Sequence, residues 1–368
     1  MRTTPTEVLE VALCVPPLDR IIICIARLTA YRLKCQSEWR GGGRQMGLEL
    51  LQESPFTLRQ DRIPKKYQLD RNFKVQIPTR DEWKTIRLPI HPNTDIWYTD
   101  GSGANGRFGA GFYCQKFDQR VTIPMDEWAT VFQAEVLAIL KCVKIQIAQD
   151  VKDRSILICS DSRAALGALE GTTTESSVVW DCKQALNKLG ETNKVTIIWI
   201  PGHRGLHGNE VADGLAKLGT LEDPLEQEMG IPFAVGKEYI KKSLEKEHLD
   251  SWERGQGCRR AKLLIEKPSK SRARELLTMN KKKLRLAIKL LTGHMALRAH
   301  LYNLKMAEPK NCRLCGEEED SIHILCRCPL LAIRRYRSWG QMFSEPKDLK
   351  EMRINKLCGL VNNTGLDQ

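Results

Sequence analysis

An aspartate that closes a short aromatic strand, with three glycines in the next six residues, limits the fold more than any other feature here. It lies in the run Asp95 to Tyr113, DIWYTDGSGANGRFGAGFY. Ile96, Trp97 and Tyr98 form the apolar, aromatic run typical of a buried strand. Asp100 ends it, and Gly101, Gly103 and Gly106 turn the backbone away. Phe108, Ala110, Phe112 and Cys114 then alternate with glycine and polar residues, which predicts a second strand paired with the first. A carboxylate projected from a strand end beside a Gly-rich hairpin is a seat for a metal ion. A solvated turn aspartate looks the same in isolation, so acids elsewhere in the chain must decide between the two.

Residues 94–220 alternate short strands with amphipathic helices, the pattern of an α/β domain, and place three more acids in strong contexts. Glu135 sits among apolar neighbours in a predicted buried helix starting at Val131, where an isolated charge is too costly without a partner or cation. Asp161 follows the β-run Ser155-Ile-Leu-Ile-Cys-Ser, and a helix N-cap is its alternative role. Asp213 follows Asn209 by four positions, so the two share one side of a predicted helix. Strand-end and helix carboxylates of this kind can converge at the carboxyl edge of a sheet. Crowded together they stay ionised only with divalent cations between them. Oxygen ligands completed by substrate phosphate favour Mg²⁺, and two such ions roughly 4 Å apart suit in-line phosphodiester hydrolysis. His203, on a Gly-flanked loop, suits proton transfer or product release.

The segments TDGS, FQAEVLAI, CSDS and PGHRGLHGNEVADGLAK, in this order and spacing, resemble the four motifs of type 1 ribonuclease H. The resemblance covers about residues 94–220 and implies a five-stranded mixed sheet flanked by helices. It implies hydrolysis of the RNA strand of an RNA–DNA hybrid, with Asp100, Glu135, Asp161 and Asp213 as Mg²⁺ ligands and His203 as the loop histidine. Ser102, Asn105 and Gln133 fall where such enzymes touch the hybrid. His207 reads as structural or incidental, and Glu210 as a stabiliser of the helix start. A transposase or integrase on the same fold does not predict TDGS together with GHRGLHGNEVAD. The second function class is a catalytically idle nucleic-acid-binding remnant, and the intact set of four carboxylates favours the enzyme.

Charge adds a partner. The net charge is +13, and residues 236–310 hold 20 Lys or Arg against 8 Asp or Glu, nearly the whole excess. Such a helical basic block (221–308) suits a polyanion, although a solvated linker has the same composition. Cellular relatives often carry a basic protrusion where this chain has the neutral-to-acidic Thr172–Asp181, which makes 236–310 the expected grip on the hybrid.

The remaining segments complete the plan. Residues 1–50 contain one predicted helix, about Leu18 to Cys35. Residues 51–93 are polar, rich in proline and weakly periodic, which predicts a linker. Residues 309–368 look short of core and Cys-rich. There Cys312-x2-Cys315-x7-His323-x4-Cys328 is a tetrahedral Zn²⁺ pattern, with a metal-free reduced tail as the alternative. The segments around Arg2–Glu10 and Leu290–Leu301 resemble flanks of ribonuclease H in insect non-LTR retrotransposon polyproteins. Similar tails place a ligand just before the proline, which prefers Cys328 to Cys326. No Asp-Asp pair occurs, so the polymerase motif is missing and the chain looks like a fragment. Cys14, Cys24, Cys142 and Cys159 sit in apolar runs, as reduced core cysteines do, which predicts an intracellular setting, nuclear or cytoplasmic. The most apolar stretch, Val11 to Ala30, is interrupted by Pro16, Pro17, Asp19, Arg20 and Arg27, so no membrane span is expected.

Overall fold

The β-branched and aromatic runs between Phe73 and Trp199 assemble into a six-stranded mixed sheet. The structure is a computed structural model and describes residues 5–38, 47–85, 93–202, 205–224 and 229–365. The chain divides into two compact units, Ile25–Ile240 and the combination of Met1–Cys24 with Lys241–Gln368.

The first unit contains eight strands among the described residues: β1 (Arg62–Tyr67), β2 (Phe73–Gln76), β3 (Thr94–Ala104), β4 (Arg107–Cys114), β5 (Gln119–Met125), β6 (Ser155–Ser160), β7 (Thr173–Ser176) and β8 (Lys194–Trp199). The main sheet runs β2-β8-β6-β3-β4-β5. β3, β4 and β5 form an antiparallel meander, whereas β6, β8 and β2 run parallel to β3 and to one another. Between β3 and β4 only Asn105 and Gly106 turn the chain, with φ of 52° and 79°. That pair of left-handed residues is the two-residue hairpin turn matched to strand twist, and Asn-Gly is its preferred sequence.

Parallel strands need crossovers, and the helices supply them. They are α1 (Val131–Ala148), α2 (Arg163–Glu170), α3 (Ser177–Gly190) and, after β8, α4 (His207–Gly219). Thr130, Ser162 and Ser176 cap the first three, each accepting from the amide three residues on. Ser162 therefore does the capping that Asp161 could have done. α1 is buried on nearly every side, with Ala134, Val136, Ala138, Ile139, Cys142 and Val143 all inaccessible.

Two expectations are corrected. The sheet has six strands rather than five, because Phe73–Gln76 adds β2 alongside β8. Residues 51–93 are thus more than a linker: β1 also pairs antiparallel with β7. Both strands are short, and their pairing with distant partners leaves little local signal.

In the other unit, one apolar core gathers Val8, Trp252, Leu286, Leu291, Ile322, Leu325, Leu357 and Val361. The residues after 309 are therefore not poor in core: Ile322, Leu325, Leu357 and Val361 are buried with apolar residues of the basic helical region. The helix Leu18–Cys35 forms over the span its periodicity predicts. None of the thirteen cysteines is in a disulfide, and no helix among the described residues is long and apolar enough to cross a membrane.

Candidate active site and metal centre

β3 and β6 are parallel neighbours, so residues at their carboxyl ends come together. Asp100 does not close its strand as the sequence suggests, since β3 continues to Ala104 paired with β4. It lies just past the last β3–β6 pair, Thr99 with Ser160, and Asp161 directly follows β6. Glu135 reaches the same place from the first turns of α1. One carboxylate oxygen from each of these three residues lies within 4.8 Å of the other two. The approach is tight. A Cβ at Gly101 would stand 2.5 Å from the Glu135 amide nitrogen, and one at Gly202 would stand 2.5 Å from Asp161 Oδ2. Only glycine lets β3 meet α1, and the loop after β8 meet the Asp161 carboxylate, at these separations.

Burial and mutual repulsion set the electrostatics. Asp100 is 7% exposed and Glu135 6%. Desolvation, then the charge of Asp161, pushes the Asp100 carboxyl up to about 7, although Oδ1 accepts from the Gly101 amide at 2.7 Å. Desolvation and the charges of Asp100 and Asp161 push Glu135 up to about 9. Glu135 Oε2 is buried without a hydrogen-bond partner. Like charges at these separations repel by roughly 3–4 kcal/mol per pair at an effective dielectric of about 20. A divalent cation cancels that repulsion and gives the orphaned oxygen a partner, so this donor set fits Mg²⁺.

Asp213 stands apart from the trio. It belongs to α4, its carboxylate is 21% exposed, and Oδ2 accepts from Lys217 Nζ at 2.6 Å. Its charge still reaches Asp100. The Lys217 pairing was visible as an i,i+4 spacing, yet sequence reasoning passed over it. His203 lies outside the described residues.

The three expected substrate contacts diverge. Ser102 is half-buried on β3 and, two residues from Asp100, shares its side of the strand. Asn105 is exposed in the hairpin turn, where its positive φ accounts for its identity. Gln133 is fully buried, and its Nε2 donates to the Gly230 carbonyl at 2.8 Å, so it is not presented to a ligand. His207 meets the Tyr113 ring edge-on at 6.3 Å, and Glu210 lies in the first turn of α4.

In the other unit, the ligand atoms of Cys312, Cys315, His323 and Cys328 lie within 4.8 Å of one another, and Cys326 is not among them. Ligands on a Zn²⁺ tetrahedron stand roughly 3.5–4 Å apart, so this set could close on one ion with small side-chain shifts. Cys315 Sγ is 3.2 Å from His323 Nε2, and the Leu314 amide donates to Cys312 Sγ at 3.4 Å. His323 Nδ1 faces Glu317 Oε2 at 3.2 Å, which directs Nε2 toward the thiols. Glu319, fully buried, accepts from the Arg298 and Arg313 amides and from the Arg313 guanidinium, tying the knuckle to the helix Arg298–Asn303. Neither glutamate stands out in the sequence, since a run of four acids gives no sign of which are buried.

Residues 92–220 match the family model for RNase H, so the chain carries an RNase H domain over that span. The domain supports RNA–DNA hybrid nuclease activity in general.

Proposed function

We propose that this domain hydrolyses the RNA strand of RNA–DNA hybrids, with two Mg²⁺ ions held by Asp100, Glu135 and Asp161 and by Asp213 at the rim. The observation that carries this reading is the convergence of three carboxylates from three elements, one with an orphaned buried oxygen. When bound, the ions supply the positive charge that generates a nucleophile from water and stabilises the leaving oxygen. The protein residues do the rest. Asp100 and Asp161 are fixed by parallel strands, and Glu135 by a buried helix, so the donors need no reorganisation on loading. Lys217 holds Asp213 until substrate and metal compete for it. Ser102, beside Asp100, reads the 2′-hydroxyl that separates RNA from DNA. His203 moves the proton to the departing oxygen.

The remainder of the chain supplies grip. Lys281, Lys282 and Lys283 are exposed in the first turn of the helix Lys281–Thr292. Three cations at a helix N-terminus oppose the macrodipole, a local conflict that a bound phosphate backbone relieves. The Cys–His cluster holds Zn²⁺ as a structural site, because four protein ligands leave no open position. The flanking sequence resemblance supports derivation from a retrotransposon.

The test is digestion of an RNA–DNA hybrid labelled on each strand, with Mg²⁺, beside double-stranded RNA and DNA. Cleavage confined to the RNA strand of the hybrid is expected. Equal cutting of duplex DNA would sink the substrate assignment, and tight hybrid binding without cleavage would favour the idle nucleic-acid-binding remnant.

A further inference from the structure

Arg335 is fully buried in the short helix Ala332–Trp339, yet no carboxylate pairs with it among the described residues. Its guanidinium donates only to backbone carbonyls: Nε to Met342 at 2.6 Å, Nη1 to Ile324 at 3.1 Å, and Nη2 to Cys328. A buried cation served by neutral acceptors is an expensive arrangement, because carbonyl dipoles do not cancel a full charge. The Phe343 ring, 5.4 Å from the guanidinium carbon, adds a further neutral partner, and a negative group nearby would offset the remaining charge.

The three acceptors show where to look. Ile324 follows His323, and Cys328 is itself one of the four clustered ligands. The guanidinium thus grips the chain on both sides of the turn that carries the last two ligands. The net charge of the cluster is equally direct. Zn²⁺ with three thiolates and one neutral imidazole carries a net charge of about −1. One buried guanidinium offsets the charge of the centre itself; Glu317, on the imidazole, is mostly exposed to solvent.

We propose that Arg335 is the built-in counter-charge of the Cys312–Cys315–His323–Cys328 metal centre, and that it also positions Cys328 through its carbonyl. The inference rests on the cluster holding Zn²⁺, and is independent of whether the RNase H domain cleaves hybrids. Both roles have chemical consequences. Without the positive charge, the bound thiolates carry uncompensated negative charge, so they hold protons more readily and attack electrophiles faster. Without the fork, Cys328 loses its bearing. The surrounding apolar residues Ile324, Leu325 and Leu331 exclude the water that would otherwise screen the charge.

The experiment uses the full chain loaded with Zn²⁺, comparing wild type with Arg335→Met, which keeps bulk without charge, and Arg335→Lys, which keeps charge without the fork. Zn²⁺ affinity is read by competition with a chromogenic chelator, and thiolate reactivity by the rate of iodoacetamide modification. Co²⁺ substitution reports the ligand geometry through its visible absorption. Arg335→Met should weaken Zn²⁺ binding by about 10–100-fold, the range for changes beside a metal's ligands, and accelerate alkylation. Arg335→Lys should recover the alkylation rate while leaving a perturbed Co²⁺ spectrum. A global fold lost in Arg335→Met but kept in Arg335→Lys leaves the Lys variant to decide. Wild-type-like affinity and alkylation in Arg335→Met, with only a lower melting temperature, would overturn the proposal. So would a wild-type chain that binds no Zn²⁺.

Discussion

Around Asp100, three carboxylates are packed within 4.8 Å and one buried oxygen, Glu135 Oε2, has no donor. Around His323, three thiols and an imidazole are packed as closely, but their surroundings are answered: Glu317 on the imidazole, an amide on Cys312 Sγ, Arg335 on the Cys328 carbonyl. The first cluster crowds carboxylates whose repulsion must be relieved from solution, by protons or by a cation. The second carries its own supports and closes on four ligands. A site that must release and rebind ions with each substrate suits the first design, and a site that holds its chain together suits the second. The rim position of Asp213 fits the same contrast, since its carboxylate is partly exposed and already has Lys217 as an alternative partner.

Removing one carboxylate should separate the two designs most sharply. Asp100→Asn is expected to lower Mg²⁺-dependent hybrid cleavage by more than about 100-fold, beyond the loss typical of residues that only support ligands. The same change should leave metal-free stability equal or higher, because it removes a repelling charge. An Asp100→Asn protein that keeps most of its cleavage would break the assignment.

Metal removal should then act oppositely on the two regions. Withholding Mg²⁺ is expected to stop hybrid cleavage while the domain spanning 92–220 remains folded. A chelator strong enough to strip Zn²⁺, or Cys315→Ser, should instead lower the unfolding midpoint of the unit containing 241–365. Each kcal/mol of stability removed there corresponds to roughly 2–4 °C. Limited proteolysis located by mass spectrometry reads which unit has opened, and equal opening of both would erase the distinction.

A pH series sharpens the electrostatic half of the comparison. In the metal-free protein, Asp100 is raised to about 7 and Glu135 to about 9 by burial and mutual repulsion. Between the ordinary carboxylate range, about 4, and these values, the native state holds protons that the unfolded chain has released. The stability this confers is complete below about pH 4 and is lost as pH rises through 7 and then 9. Denaturant midpoints in EDTA should therefore fall from pH 6 to pH 9, and saturating Mg²⁺ should narrow the gap. A flat profile would mean that the carboxylates do not share a buried space.

The smallest effect is expected from the exposed lysines. Replacing Lys281, Lys282 and Lys283 together with Gln should weaken hybrid binding and reduce the log–log salt slope by about 0.7–0.9 for each phosphate left without its cation. Turnover at saturating hybrid should barely change, because no candidate active-site ligand lies in that helix. An unaltered salt slope would make the block a solvated surface.

Many of these features were legible in the sequence because they are encoded over a few residues. The strand before Asp100, the helix carrying Glu135, the β-run before Asp161 and the helix Leu18–Cys35 all form where periodicity places them. The Cys-x2-Cys spacing with a downstream His and Cys identified a set that clusters in space, while the choice of Cys328 over Cys326 came from the resemblance to similar tails and agrees with the fold. Other readings needed the fold. Gln133 lies two residues after the exposed Val131, and only the arrival of Gly230 shows that its amide is occupied internally. β2 is four residues long, and nothing local announces that β8 will pair with it. Arg335 reads as one of several arginines in a basic stretch until three carbonyls are found around it.

The sequence by itself determined the elements around the candidate site, the RNase H motifs and the two sets of ligand types, because caps, turns and apolar periods act between near neighbours. Tertiary structure alone decided which carboxylates converge, that Asp213 stands off with Lys217, that the residues after 309 bury a core, and that a buried arginine faces a thiol cluster. Those outcomes depend on burial and on charges brought together by pairing of distant segments. Desolvation and Coulomb energy are properties of the assembled interior, and no stretch of the chain carries them alone.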